Sequence, residues 1–250
     1  FKAFGLQLKY GIVNSYGINR DKLESLLMFY SPKQEKLITL SEYVEAMPED
    51  QKYIYYACGS DAATLDKLPQ AELIRDRGFD TFYMTDPVDE FVVRGLVSHS
   101  EKEFRSVTAD DLGLLSEDET KKAEESEEEN RELLDFVVES LDGKLAAATL
   151  STKLVSAPVC LTTRGGVTLE MERYFNAMRM SEGQEPVRAE RVLELNASHN
   201  LFGKLKSAFE SDKGRAAKYA ELLYYQSVVM AGLPPEDPVR FCELISELTS

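Results

Sequence analysis

Short apolar runs and helical stripes alternate along the first half of the chain, and run length tells them apart. Residues 53–58, 79–84 and 104–107 are dense in aromatic and β-branched side chains. Each is long enough for a strand and too short for a buried helix. Between them, Pro69 stands at the first helical position of a segment reaching Arg77, and Asp86-Pro87 caps and opens a helix over residues 88–97. Strand, helix, strand, helix, strand predicts a small three-layer α/β domain whose short parallel sheet is joined by right-handed crossovers. Upstream, the first thirty residues read as helical with Leu23, Leu26 and Leu27 on one face, and Thr39 and Glu42 have capping-box spacing.

The pattern changes at residues 116–132, where acids dominate and apolar side chains nearly vanish. Ser116 and Glu119 are a second capping-box pair, so the stretch opens a helix that turns apolar at Leu133, Leu134, Phe136, Val137, Val138 and Leu141. A helix dipole favours acids at its start; an acidic interaction tail is the competing reading. Beyond it, residues 144–150, 159–163 and 191–195 read as strands and the chain from Leu201 onward as helix. Gly232-Leu233-Pro234-Pro235 stops one long helix and Asp237-Pro238 starts the last. The expected organisation is an α/β domain over 1–112, an acidic linker and helix start at 113–126, and an α+β domain over 127–250 ending in a helical bundle.

Two helical faces in that second stretch carry candidate binding residues. Met171, Tyr174, Phe175 and Met178 follow i, i+3, i+4, i+7 and share a face. The spacing alone suits a core helix; methionine's adaptable shape and the polar stretch 181–188 with its Gly and Pro favour a binding surface. Over residues 214–231, Ala216, Tyr219, Ala220, Leu223 and Met230 form one stripe, while Leu222, Tyr225 and Val229 extend apolarity around the cylinder. A helix apolar beyond one face needs more than one surface to pack against. One surface is its own domain; the other is a second copy, or else more of the same core. Phe241, Leu244, Ile245 and Leu248 on the last helix would then complete a four-helix bundle across a two-fold axis.

Charge and chemistry narrow the function. With 44 acidic against 29 basic residues the net charge is −15, which opposes attraction to phosphate backbones or anionic membranes. No apolar run approaches the roughly 20 residues a membrane span needs. Neither nucleic acid nor membrane is expected as a partner. Cys58, Cys160 and Cys242 are far apart and odd in number, which suits a reducing cytoplasm rather than a disulfide framework. The opening Phe1-Lys2-Ala3-Phe4-Gly5 has neither a signal-peptide pattern nor Met, so a piece of a longer chain is expected.

His99 and His199 lack any metal-ligand spacing, and Gly165-Gly166 fits an ordinary strand-to-helix turn. A parallel sheet raises a nucleotide-binding enzyme as a rival. Its phosphate loop would be Cys58-Gly59-Ser60-Asp61, where a single Gly precedes an acid and no Lys follows. No catalytic, cofactor-binding or metal-ligating residue is assigned, and no enzyme activity is expected.

Several stretches together resemble one family. They are Leu40-Ser41-Glu42-Tyr43-Val44, Gln51-Lys52-Tyr53-Ile54-Tyr55-Tyr56, Arg77-Gly78-Phe79, Tyr83-Met84-Thr85-Asp86-Pro87-Val88-Asp89-Glu90, Leu154-Val155-Ser156-Ala157-Pro158, Met171-Glu172-Arg173 and Leu193-Glu194-Leu195-Asn196. In this order, over essentially the whole chain, they resemble the heat-shock protein 90 chaperones. The ending Glu247-Leu248-Thr249-Ser250, in place of Glu-Glu-Val-Asp, is similar to the bacterial members. The chain departs from the family at residues 196–200, where prolines usually flank the histidine.

The resemblance implies the end of a middle domain, to about Asp111, followed by a C-terminal dimerisation domain. ATP, Mg and hydrolysis would belong to upstream domains, so no cofactor is expected here. The implied partners are a second copy and non-native client proteins, in the cytoplasm. Client contacts fall on Met171, Tyr174, Phe175 and Met178, and the dimer interface on Tyr219, Leu223, Met230, Phe241, Leu244, Ile245 and Leu248. A dimeric interaction scaffold of another kind is the alternative.

Overall fold

The computed structural model describes Phe1 and residues 3–249, with backbone only for residues 181 and 182. In chain order the elements are α1 (Gly5–Val13), α2 (Arg20–Leu23), β1 (Met28–Ser31), β2 (Lys36–Thr39), α3 (Leu40–Glu45), β3 (Ile54–Cys58), α4 (Ala62–Leu65), α5 (Glu72–Asp76), β4 (Phe82–Met84), α6 (Asp89–Leu96), β5 (Ser98–His99) and β6 (Lys102–Ser106). There follow α7 (Glu117–Glu129), α8 (Arg131–Ser140), β7 (Ala147–Leu150), β8 (Val159–Arg164), α9 (Leu169–Glu182), β9 (Glu190–Leu195), α10 (Asn200–Ser211), α11 (Lys213–Met230) and α12 (Pro238–Thr249). Contacts divide them into two compact units. The first comprises Phe1–Gly113 with Glu170–Val187, the second Leu114–Leu169 with Arg188–Ser250.

The first unit is mixed α/β around a sheet of order β2-β1-β4-β3-β6-β5. Its centre is parallel, with β3 between β4 and β6. The sheet as a whole is mixed rather than parallel, because β1 runs antiparallel to both β2 and β4. That hairpin replaces the end of the helix expected over the first thirty residues. Helical structure stops at a 3₁₀ turn, Glu24–Leu26, which leaves Leu27 buried and Leu26 exposed. From Met28 burial alternates with period two, placing Phe29 5.4 Å from the Phe82 ring.

Two further expectations shift for local reasons. The strand foreseen at 79–84 begins only at Phe82, since the Asp80 carboxylate accepts from the Ser31 hydroxyl (2.5 Å) and from the N–H of Thr81 (2.8 Å), turning the chain before the ladder starts. The helix foreseen at 88–97 begins at Asp89, and Asp86 does not cap it with its side chain. Instead the Asp86 N–H donates to the Asp89 carboxylate (3.0 Å), while Lys9 Nζ pairs with both acids at 2.7 Å. The Thr39/Glu42 capping box forms in both directions and starts α3.

The second unit stacks helices on a sheet of order β7-β9-β8, parallel on one side and antiparallel on the other. Ser116 and Glu119 form the second capping box, at the start of the acidic α7. The helix does not run unbroken into the apolar α8. Asn130 interrupts it, its amide donating to Ser126 O (2.7 Å) and its carbonyl oxygen accepting from Lys206 Nζ (2.8 Å). From α8, Leu133, Leu134 and Val137 enter a core shared with Leu193, Leu205 and Leu223.

Candidate functional site

Within the first unit, α9 carries the expected client-contacting residues, and their environments differ along its length. Met171 is buried (3% exposed), whereas Met178 two turns on is 53% exposed and Met180 is more open still. Between them Tyr174 and Phe175 are half-buried, because α6 supplies an aromatic partner. The Phe91 ring lies 5.0 Å from Tyr174 and 5.6 Å from Phe175, distances at which tilted and edge-on ring pairs attract. The shared face is therefore a gradient from core to solvent. The stretch after α9 is tied back to it: Asn176 donates to Val187 O (2.9 Å) and accepts from Val187 N–H (2.7 Å), and Arg179 donates to Glu185 O (2.9 Å).

The first turns of α9 also close a cavity of about 250 Å³ at the C-terminal ends of β3 and β4, lined among others by Cys58, Ser60, Glu90, Glu170 and Arg173. Burial raises the pKa of the Glu90 carboxyl, opposed by hydrogen bonds from Cys58 and Tyr56. Glu170 is likewise raised by burial and opposed by Arg173, 2.8 Å away. The Cys58 thiol is pushed well up by burial and then by Glu90, so it stays protonated and is a poor nucleophile.

The loop after β3 offers phosphate no cradle. Asp61 occupies the start of α4, accepting from Thr64 N–H (2.8 Å) where an anion would sit. Among the described residues no group of three or more His, Cys, Asp or Glu is arranged to hold a metal ion, and no helix is long and apolar enough to cross a membrane.

In the second unit the residues expected at a dimer interface separate into two sets. Tyr219, Leu223 and Leu244 lie in the unit's own core. Met230, Phe241 and Leu248 are half-buried and Ile245 is 41% exposed. Phe241, Ile245 and Leu248 follow i, i+4, i+7, so they line one flank of α12. The adjacent flank, about 100° around the helix, is held to α11 by ion pairs, Arg240 to Glu221 at 2.8 Å and Lys218 to Glu247 at 2.9 Å.

Sequence reasoning missed Phe91 and the Cys58–Glu90 contact. Phe91 left a trace, since it is a large aromatic set about 100° off the buried Val88-Val92-Leu96 stripe of α6. Glu90 left none: nothing in the sequence distinguishes a buried acid from an exposed one.

A family model described as Hsp90 protein matches residues 1–250. Curated relatives named "Chaperone protein HtpG" align over nearly the whole chain. The Clostridium acetobutylicum protein is 45% identical over 248 residues, 99% of this chain and 39% of the relative. The Bacillus subtilis protein is 44% identical over the same shares, and that of Halalkalibacterium halodurans 46% identical over 241 residues, 96% of this chain and 38% of the relative. The chain thus spans about two fifths of the length of these relatives.

Proposed function

The chain belongs to the heat-shock protein 90 family, and from that premise we propose that it provides homodimerisation and client contacts within a chaperone of the HtpG kind. The observation that carries the reading is the alignment over 99% of the chain to proteins named as chaperones. Binding and hydrolysis of ATP reside, on this reading, in the three fifths of such a protein that lie outside the present residues. The chain itself acts as a non-catalytic binding part, in a reducing cytoplasm that suits its three free cysteines.

Two surfaces support the reading. Non-native proteins present varied apolar segments, and the exposed end of α9 with Met178 and Met180 offers flexible thioethers that adapt to them. The Phe241–Ile245–Leu248 flank of α12 is a half-covered apolar strip of the kind a second copy completes. The test is joint. Sedimentation should give a dimer of the 28.2 kDa chain at micromolar concentration, and the chain should suppress aggregation of a thermally unfolding test protein. A dimer without suppression would favour a scaffold of another kind, and a monomer would remove the dimerisation role.

A further inference from the structure

We propose that the first unit contains a binding site for a compact organic cation, an alkylguanidinium or alkylammonium group, in a cavity between the β1–β2 turn, the end of α3 and the residues leading into β4. The cavity measures about 330 Å³ and is lined by Lys33, Gln34, Tyr43, Ala46, Met47, Pro48, Gln51 and Asp80. That volume is at the small end of ligand pockets.

Gln51 is 1% exposed, yet its side-chain oxygen accepts no hydrogen bond from any described residue. Its orientation is fixed from the other end. The Gln51 amide donates to the Tyr43 hydroxyl (3.0 Å) and to Tyr53 O (2.8 Å), so the oxygen cannot exchange places with the nitrogen without losing both bonds. Tyr43 in turn accepts from Tyr55 N–H (3.2 Å) and donates to Asp80 O (2.6 Å), locking Gln51 and Asp80 into one network. A buried acceptor left without a donor has lost its water without compensation. The network holds this unpaired acceptor on a residue that lines the cavity, where an incoming donor would satisfy it.

The other polar group of the floor selects the donor. The Asp80 side chain already orders Ser31, Thr81 and Lys33 N–H, and it lies half-buried beside the cavity. The one cation in the lining, Lys33, directs its Nζ to Gly78 O at 2.7 Å. With Lys33 Nζ drawn to Gly78 O, the acceptors of Gln51 and Asp80 suit a group that donates only, and a guanidinium brings five N–H donors in a plane. Ala46, Met47 and Pro48 offer an apolar wall along which an alkyl stem lies while its charged head reaches inward. The net charge of −15 favours the approach of such a cation.

The probe is butylguanidinium, followed by amide resonances of the isotope-labelled chain. Saturable shifts centred on Gln51, Tyr43 and Asp80 are expected, with pentanoate giving none. Gln51→Leu should weaken binding at least tenfold. Because that change also removes two structural hydrogen bonds, Ala46→Phe, at an exposed position beside the mouth, should block the site with an unaltered melting temperature. Absence of saturable shifts at these residues, equal shifts with pentanoate, or undiminished binding by Ala46→Phe overturns the proposal. An end-blocked Gly-Gly-Arg-Gly-Gly peptide separates the two sources of the cation. Tighter binding than butylguanidinium assigns the site to an arginine of a polypeptide; weaker binding assigns it to a free small molecule.

Discussion

Lys153 Nζ lies 2.7 Å from Glu194 Oε1, with both side chains almost wholly withdrawn from water. The carboxylate also accepts from Thr162 (3.0 Å) and Ser151 (2.9 Å), so this ion pair is solvated by the protein itself. Removing one ion of a buried pair strands the other. Lys153→Met should destabilise the second unit by about 3–5 kcal/mol, read from the urea midpoint. Lys153→Met combined with Glu194→Gln should recover much of that loss, because no uncompensated charge then remains; a double variant no better than the single would show that the pair is not what stabilises this region.

Asp89 carries the clearest pH signature. Burial pushes its carboxyl up to about 6, against the opposing pull of Lys9. An unfolded aspartate titrates near 3.9, so between these values the folded state holds a proton that the unfolded state has released. The sign follows: this group favours the folded state at the acid end, and its contribution is lost as pH rises from about 4 through 6. Asp89→Asn should flatten that part of the stability profile, measured by denaturation at pH steps across the window. An unchanged slope would place the titration elsewhere.

Neighbouring positions on α12 should respond oppositely to charge. Leu244 is fully buried in its own unit, so Leu244→Glu should unfold the second unit whatever the oligomeric state. Ile245 is exposed, and Ile245→Glu should leave the melting temperature of the monomer within a degree or so while abolishing the dimer. Sedimentation velocity of Ile245→Glu decides: a persistent dimer moves the interface off this flank.

The two ends of α9 make a matching pair. Met171→Ala should cost about 2–5 kcal/mol, as core truncations do, with loss of client protection following from lost structure. Met178→Ala should leave thermal stability nearly unchanged and reduce aggregation suppression. Equal suppression by Met178→Ala and the parent chain would take the exposed end of α9 out of the client site.

Much of the fold was legible because local signals and burial agree. The two capping boxes, the strands expected at 159–163 and 191–195 and the last two helices follow from spacing and stop signals. The β1–β2 hairpin was not, since its strands are four residues each and Leu23, Leu26 and Leu27 mimic a helical stripe. Its conformation is decided by Phe82, more than fifty residues away. The same applies to α9. Its spacing was visible, but whether each residue faces core or water depends on Phe91, which no periodicity within α9 can report.

The first unit is discontinuous in sequence, since residues 170–187 join it only after the intervening stretch 114–169. On a ribosome this separates the partners in time. Some 80 residues lie between Phe91 and Tyr174, which at about 5–20 residues per second is roughly 4–16 s. Throughout that interval the α6 aromatic has been made and its covering helix has not, so the nascent chain carries an unshielded ring whose eventual neighbours are still being translated.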